Sequence, residues 1–259
     1  MECSYTIIEL DTIDSTNEEA KRKLSDIGHF TVISAKNQTS GRGQRGNTWK
    51  SNNGENLLIS IVLKYKESTL QIPASSQMVL SCITALSVVK TLESLNIEAK
   101  IKWPNDIYIG DKKLCGILIE NLISGMYLSS SIVGIGVNVN QRYFEEDIPN
   151  PISIAQCIGI DMSVETVLST LLNVFESYFV RFATGEINYA ELRELYVGYL
   201  WHLNLTTEFI DKRFSHEETF SGEICGILPS GKLMIETKGE IREFSFNEVS
   251  YLIPLYKKR

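Results

Sequence analysis

Hydrophobic and polar positions alternate most cleanly between Ile97 and Trp103. Ile97, Ala99, Ile101 and Trp103 fall on one face, and Glu98, Lys100 and Lys102 on the other. A period of two predicts a half-buried strand. Thr31–Ala35 (TVISA) and Leu57–Leu63 (LLISIVL) read as strands, the second apolar throughout. From about Ile72 to Leu95 the apolar spacing runs on unbroken over a length that predicts a central helix. Asp106–Gly110 and Lys113–Glu120 read as a hairpin turning through Gly110-Asp111-Lys112, and Tyr127–Asn140 as another strand. Asp14 to about Asp26 reads as a helix opened by Ser15-Thr16-Asn17-Glu18, which fits a capping box. A helical region spans about Val164 to Gly198. Beyond Trp201 the pattern changes to short strands, LTTEFI, ETFSGEICGI, KLMIET, IREFSF and VSYLI, separated by turn residues. The expected organisation is an α/β unit over residues 1–202 and a small all-β unit of the SH3-like barrel kind over residues 203–259.

Composition narrows this picture. The chain has 259 residues, 43% of them hydrophobic and 22% charged, the balance of an ordinary globular protein with a sizeable core. A net charge of −7 argues against a nucleic-acid binder with a basic face. Five scattered cysteines (Cys3, Cys82, Cys115, Cys157, Cys225) form no C-x-x-C pair and read as thiols in a reducing compartment. The N-terminus is too acidic and polar for a signal peptide, and no apolar run is expected to reach the roughly 20 residues of a membrane span. A cytoplasmic protein without a membrane partner is the expectation. His29, His202 and His216 lie far apart without metal-ligand spacing, so no protein-bound metal is expected.

Candidate chemistry concentrates in two segments. Gly41-Arg42-Gly43-Gln44-Arg45-Gly46 satisfies G-x-G-x-x-G, but the sequel leads to another strand where a dinucleotide fingerprint needs a helix. Asn47 stands where a P-loop needs lysine, and the H-R-D and D-F-G segments of a protein kinase are absent. What remains is an anion-binding loop, in which glycines permit close backbone approach and Arg42 and Arg45 suit carboxylate or phosphate oxygens. Taken alone, the same residues suit a solvated surface loop equally well.

Lys102 ends the polar face of its strand just before Trp103-Pro104-Asn105-Asp106, and the proline forces the strand to leave its ladder. A lysine at such a point can bridge a carboxylate and a phosphate as charge develops; a solvated strand lysine is the plain alternative. Ser15, Thr16 and Asn17, with Gln38 just before the loop, offer short donors and acceptors to a neutral polar group, although a capping box also accounts for Ser15 and Glu18. Gly134-Ile135-Gly136-Val137-Asn138 places small residues in an apolar strand, marking close approach of a ligand or of packed backbone.

In order along the chain, DSTN (Asp14–Asn17), Gln38 with GRGQRG (Gly41–Gly46) and Trp49, KWPND (Lys102–Asp106), KLCGILIE (Lys113–Glu120) and GIGVNVN (Gly134–Asn140) together resemble the biotin protein ligase family. The resemblance implies a mixed-sheet, class II synthetase-like α/β catalytic domain followed by an SH3-like domain. It implies biotin and ATP, the latter with Mg²⁺, as substrates, biotinyl-5′-adenylate as intermediate, and a lysine of a biotin carboxyl carrier protein as acceptor. It assigns Lys102 and Arg42 to catalysis. Ser15, Thr16, Asn17, Gln38, Arg42, Gly43, Gln44, Lys102, Gly116 and Gly136 fall to biotin. Arg42, Gln44, Arg45, Trp49, Asn56, Asn105, Lys113 and Asn138 fall to the nucleotide.

The family loop often reads G-R-G-R-R-G-R. Gln44 and Asn47 replace two of those arginines, so weaker retention of the adenylate is expected. Some members carry an N-terminal winged-helix domain. The DSTN segment begins so early here that no DNA-binding role is expected. A lipoate or octanoate ligase of the same fold and a non-catalytic biotin sensor are the rival readings, and monomer and homodimer both remain open.

Overall fold

The computed structural model describes residues 5–67, 70–213, 216 and 218–252. Cys3 and the end of the last expected strand, at Ile253, lie outside the described residues. A seven-stranded sheet carries β1 (Thr6–Ile13), β2 (Thr31–Gln38), β3 (Leu57–Lys64), β4 (Lys100–Lys102), β5 (Asp106–Ile109), β6 (Lys112–Ser124) and β7 (Tyr127–Val137). The strand order is β1-β2-β3-β7-β6-β5-β4. The β1–β2 pair is parallel and the rest are antiparallel, so the sheet is mixed. β3 is buried along its length up to Leu63, as expected for a central strand covered on both faces.

One face is covered by α1 (Thr16–Arg22), where Ala20 meets Ile33, Val62 and Ile132. Against the other face lies α2 (Met78–Glu93), packed in turn under α4 (Val164–Ala183) and α5 (Tyr189–Gly198). With protein on every side, α2 is apolar all round, and Ala74–Glu93 has the length and hydropathy of a membrane span, contrary to the reading from sequence. Its burial within this core gives that apolarity a packing function. The hydroxyls of Thr84, Ser87 and Thr91 donate to the carbonyls of Leu80, Ile83 and Ser87 and so are satisfied within the helix.

The expected 97–103 strand shortens to β4, yet Ile97, Ala99, Ile101 and Trp103 are all buried as the alternation requires. Its outer edge is covered: Ile101 N–H donates to Tyr199 O at 2.7 Å and Trp201 N–H to Ile101 O at 2.8 Å. A short helix, α3 (Ile154–Ile158), closed by a Ser153–Gln156 capping box, was not expected from the sequence.

The second sheet, wholly antiparallel, contains β8 (Thr206–Asp211), β9 (Glu218–Ile227), β10 (Leu233–Thr237), β11 (Glu240–Phe244) and β12 (Val249–Tyr251) in the order β11-β10-β9-β8-β12. That arrangement is consistent with an SH3-like barrel. It is fastened to the first sheet by aromatic side chains. Trp103 Nε1 donates to Gly231 O at 3.0 Å, the Tyr189 hydroxyl to Pro229 O at 2.7 Å, and the Trp103 and Phe246 rings meet edge to face.

Candidate active site

A cavity of about 320 Å³ lies where the two sheets meet, and it draws on both. The N-terminus of α1, the loop after β2, β4, β6 and β7 supply most of its lining, while Phe246, Val249, Ser250 and Tyr251 close it from the second sheet. Of the residues singled out in the sequence, Ser15, Thr16, Asn17, Gln38, Arg42, Gly43, Gln44, Trp49, Lys102, Asn105, Lys113, Gly116 and Gly136 all line it.

At one end the α1 cap is rebuilt by tertiary partners. The expected capping box does not form, because the Ser15 side chain makes no capping bond and Glu18 turns outward to Lys21. Ser15 N–H instead donates to the Asp14 carboxylate at 2.7 Å, and Gln38 Oε1 accepts the Thr16 N–H at 2.8 Å. The hydroxyl and amide groups of Ser15, Thr16 and Asn17 are thereby buried at the cavity wall. Ser60 of β3, which no motif in the sequence marked, fixes them: its hydroxyl lies 2.8 Å from Thr16 Oγ1 and 2.6 Å from Asn17 Oδ1. An amide oxygen only accepts, so the Ser60 proton goes to Asn17. Asn17 Nδ2 donates to Glu120 at 2.8 Å and Leu118 O at 3.3 Å, which completes its set.

The glycine-arginine loop folds on itself. Gly43 N–H donates to Asn47 O at 2.7 Å and Trp49 N–H to Gly41 O at 2.9 Å. Gly46 takes a φ of +77°, and a Cβ on Gly41 would lie 2.4 Å from the Trp49 carbonyl oxygen, so both positions demand glycine. The amide of Gly43 is therefore already bonded, contrary to a loop whose N–H groups all await an anion. Arg42 pairs with Glu18 and, at 3.2 Å, with Glu120. Burial works to raise the Glu120 carboxyl, but bonds from Lys21 and Asn17 and the Arg42 charge outweigh it and hold it below the usual glutamate range. The Arg45 side chain lies outside the described atoms. Trp49 reaches back into the cavity and lies on the sheet: Cβ atoms on Gly116 and Gly136 would come within 2.9 and 2.7 Å of its indole. Its Nε1 is buried without a hydrogen-bond partner.

At the other end Lys102 projects from β4 into an aromatic corner. Its ammonium donates to the Tyr108 hydroxyl at 3.2 Å, and no carboxylate pairs with it among the described residues. Burial holds its pKa below the usual lysine value, with Asp106 opposing and Lys113 reinforcing the shift. Asp106, inside the KWPND segment but given no role from sequence, binds Lys113 at 2.7 Å and so leaves Lys102 unneutralised. Asn105 donates to Ile117 O and ties the segment to β6. Asn56 and Asn138 do not reach the cavity. Asn56 donates to Gln141 and accepts from Val139 N–H, and Asn138 donates to Ile152 O, so both amides hold the chain beyond β7. Among the described residues no group of three His, Cys, Asp or Glu side chains is placed to hold a metal ion.

The arrangement offers neutral donors and acceptors at one end, an indole over the floor, and a desolvated, unpaired ammonium at the other. It suits a molecule with an uncharged polar head and an anionic tail. Residues 9–138 match the Biotin/lipoate A/B protein ligase family. The chain is 30% identical to the bifunctional ligase/repressor BirA of Bacillus spizizenii over 92% of its own length and 71% of that relative's. It is 32% identical to the biotin–[acetyl-CoA-carboxylase] ligase of Paracoccus denitrificans, over 62% of this chain and 68% of that one. The structure of biotin protein ligase from Aquifex aeolicus in complex with biotin and ATP superimposes with a TM-score of 0.77 at 29% identity, covering 95% and 97% of the two chains.

Proposed function

Because the chain belongs to the biotin/lipoate A/B protein ligase family and is a biotin protein ligase, we propose that it joins biotin to ATP as biotinyl-5′-adenylate and passes the acyl group to a lysine of a biotin carboxyl carrier protein. The observation that carries the reading is Lys102, a half-buried ammonium facing the cavity and paired with no carboxylate among the described residues. In the first step a carboxylate oxygen of biotin attacks the α-phosphorus and pyrophosphate leaves. Lys102 meets the negative charge shared by carboxylate and α-phosphate, where an ammonium in a low-dielectric site counts most. In the second step the acceptor ε-amine, neutral after its ammonium form has given up a proton to solvent, attacks the acyl carbon. AMP leaves with the bonding pair, and the nitrogen releases a second proton to solvent as the amide forms.

Ser15, Thr16, Asn17 and Gln38 take the ureido end of biotin, whose N–H and C=O groups match their hydroxyls and amides. Gly116 and Gly136 line the floor beneath its apolar body, where they seat the Trp49 indole, and Arg42, Gly43 and Gln44 cover its tail. Trp49, Asn105 and Lys113 attend the nucleotide, with Mg²⁺ arriving as part of the ATP substrate. Asn56 and Asn138 support the pocket from behind by fixing the chain after β7. Residues 203–259 form the second unit, and the working compartment is the cytoplasm, where ATP is available.

The test mixes purified protein, ATP, Mg²⁺ and labelled biotin, and follows pyrophosphate release and label transfer to a biotin carboxyl carrier domain, with Lys102→Ala alongside. Wild-type labelling and an inactive variant support the reading. Activation of lipoate or octanoate in place of biotin would overturn the substrate, and biotin binding without pyrophosphate release would leave a sensor.

A further inference from the structure

Lys102 is held in place although, among the described residues, no carboxylate forms an ion pair with it. Its Nζ lies 4.9 Å from the centre of the Tyr108 ring and 5.3 Å from the centre of the Tyr251 ring. The charged and titratable groups facing it are Asp106 from β5, Lys113 from β6, Tyr108 from β5 and Tyr251 from β12. Asp106 is engaged by Lys113, so the two tyrosines make its immediate surroundings. The hydroxyl of Tyr251 is buried without a hydrogen-bond partner. It earns nothing by bonding, and the part of Tyr251 that meets Lys102 is the ring.

We propose that Tyr251 is a positioning residue for Lys102: its ring and that of Tyr108 form an aromatic seat that holds the ammonium while leaving its charge free for the anions of the substrate. The proposal rests on the reading of Lys102 as the group that meets carboxylate and α-phosphate. A carboxylate in the same place would form a buried ion pair that each substrate would have to break. A ring face attracts the cation through its quadrupole, so the Tyr251 ring takes up none of its N–H donors and Tyr108, through its hydroxyl, only one. The seat is braced from both sheets. Tyr251 pairs in register with Phe209 of β8, and its ring lies 5.2 Å from Trp201, which in turn lies 5.5 Å from Tyr108. Trp201 Nε1 donates to Gly110 O at 2.9 Å and so fixes this aromatic row to the β5–β6 turn. The second sheet thereby acts on the chemistry of a lysine in the first.

The full chain is compared with Tyr251→Leu and Tyr251→Phe. The first readout needs no catalysis: the pH dependence of Lys102 acetylation by acetic anhydride, followed on its peptide by mass spectrometry. Leucine keeps the corner apolar but removes the ring face that favours the cation, so the titration of Lys102 moves to lower pH in Tyr251→Leu. In Tyr251→Phe the ring remains and the profile stays. The second readout is kcat/KM for ATP in pyrophosphate release, expected to fall about tenfold in Tyr251→Leu and less than about twofold in Tyr251→Phe. A Tyr251→Leu protein with wild-type titration and rate overturns the proposal. So does an equal shift in Tyr251→Phe, which would assign the effect to the hydroxyl. A thermal melt checks each variant, and should Tyr251→Leu not fold, Tyr251→Met removes the ring while refilling the space. If Lys102→Ala still releases pyrophosphate, the catalytic reading falls, while the acetylation profiles still decide the seat.

Discussion

Asn17 sits directly on Gly134: a Cβ built on that glycine would stand 2.3 Å from the Asn17 amide oxygen. The contact joins the first turn of α1 to the middle of β7 and explains why an apolar strand interrupts itself with glycine at this point. Replacing Gly134 with alanine has to displace the amide, which then loses its bonds to Ser60 and Glu120. We expect Gly134→Ala to weaken biotin binding by about tenfold or more while the protein still folds. Titration calorimetry beside a thermal melt checks this, and unchanged affinity would remove Asn17 from the biotin site.

Ser60 makes the same point from the opposite side. Ser60→Ala leaves the Asn17 amide oxygen without its hydroxyl partner in a buried place, which costs about 1–3 kcal/mol. For a chain of this size the melting temperature falls by several degrees. Biotin affinity falls as well, although Ser60 does not line the cavity. A variant that melts lower but binds biotin as well as wild type would confine Ser60 to stability.

Gln44 lines the cavity beside Arg42 without adding a charge of its own. Gln44→Arg adds a guanidinium suited to phosphate oxygens. Release of biotinyl-adenylate, measured by rapid filtration, is expected to slow about tenfold, in proportion to one added charge-assisted bond. Equal release rates would sink the idea that this loop holds its intermediate loosely.

The second sheet has its own electrostatic lock. Asp211 is fully buried beneath Arg213, at 2.8 Å, and Arg242. Hydrogen bonding from Arg213, with the charges of both arginines, holds its carboxyl below the usual aspartate range against the opposing effect of burial. A depressed carboxyl stabilises the fold above its unfolded pKa of about 3.9, and that stability drains away as pH falls through the folded value. Melts from pH 7 to pH 3 should show an acid-sensitive component that Asp211→Asn lacks. The same variant should be less stable at pH 7, because it leaves two guanidinium groups short of their counter-charge.

The strands legible from sequence were those with fully buried residues along at least one face. Ile97 to Trp103 alternates because one face meets α2, and Leu57–Leu63 is apolar throughout because both faces are covered. β1 escaped notice because it is an edge strand whose alternation is brief: Ile8 and Leu10 pack inward between exposed Glu9 and Asp11, but exposed Ile7 and Thr12 blur the pattern at either side. The capping box at Ser15 was a sound local inference overtaken by tertiary partners, since Asp14 and Gln38 take the first amides of α1. Asn56 and Asn138 carried a plausible chemistry whose amides the fold spends on carbonyl and amide groups of its own. Neither Ser60 nor Tyr251 was visible. A serine in an apolar strand and a tyrosine in a distant barrel give no signal until the fold brings them to Thr16 and Lys102.

The cavity takes its walls from Ser15 at one end of the described chain and Tyr251 near the other. During synthesis the strands and helices of the first sheet leave the ribosome well before β12 does, and each can begin to fold as it emerges. The wall beside Lys102 waits for the last strand. A nascent chain therefore holds the donors for a ligand head while the corner around its lysine is still open. The corner around Lys102 is completed only when β12 pairs with β8 and brings Tyr251 to it.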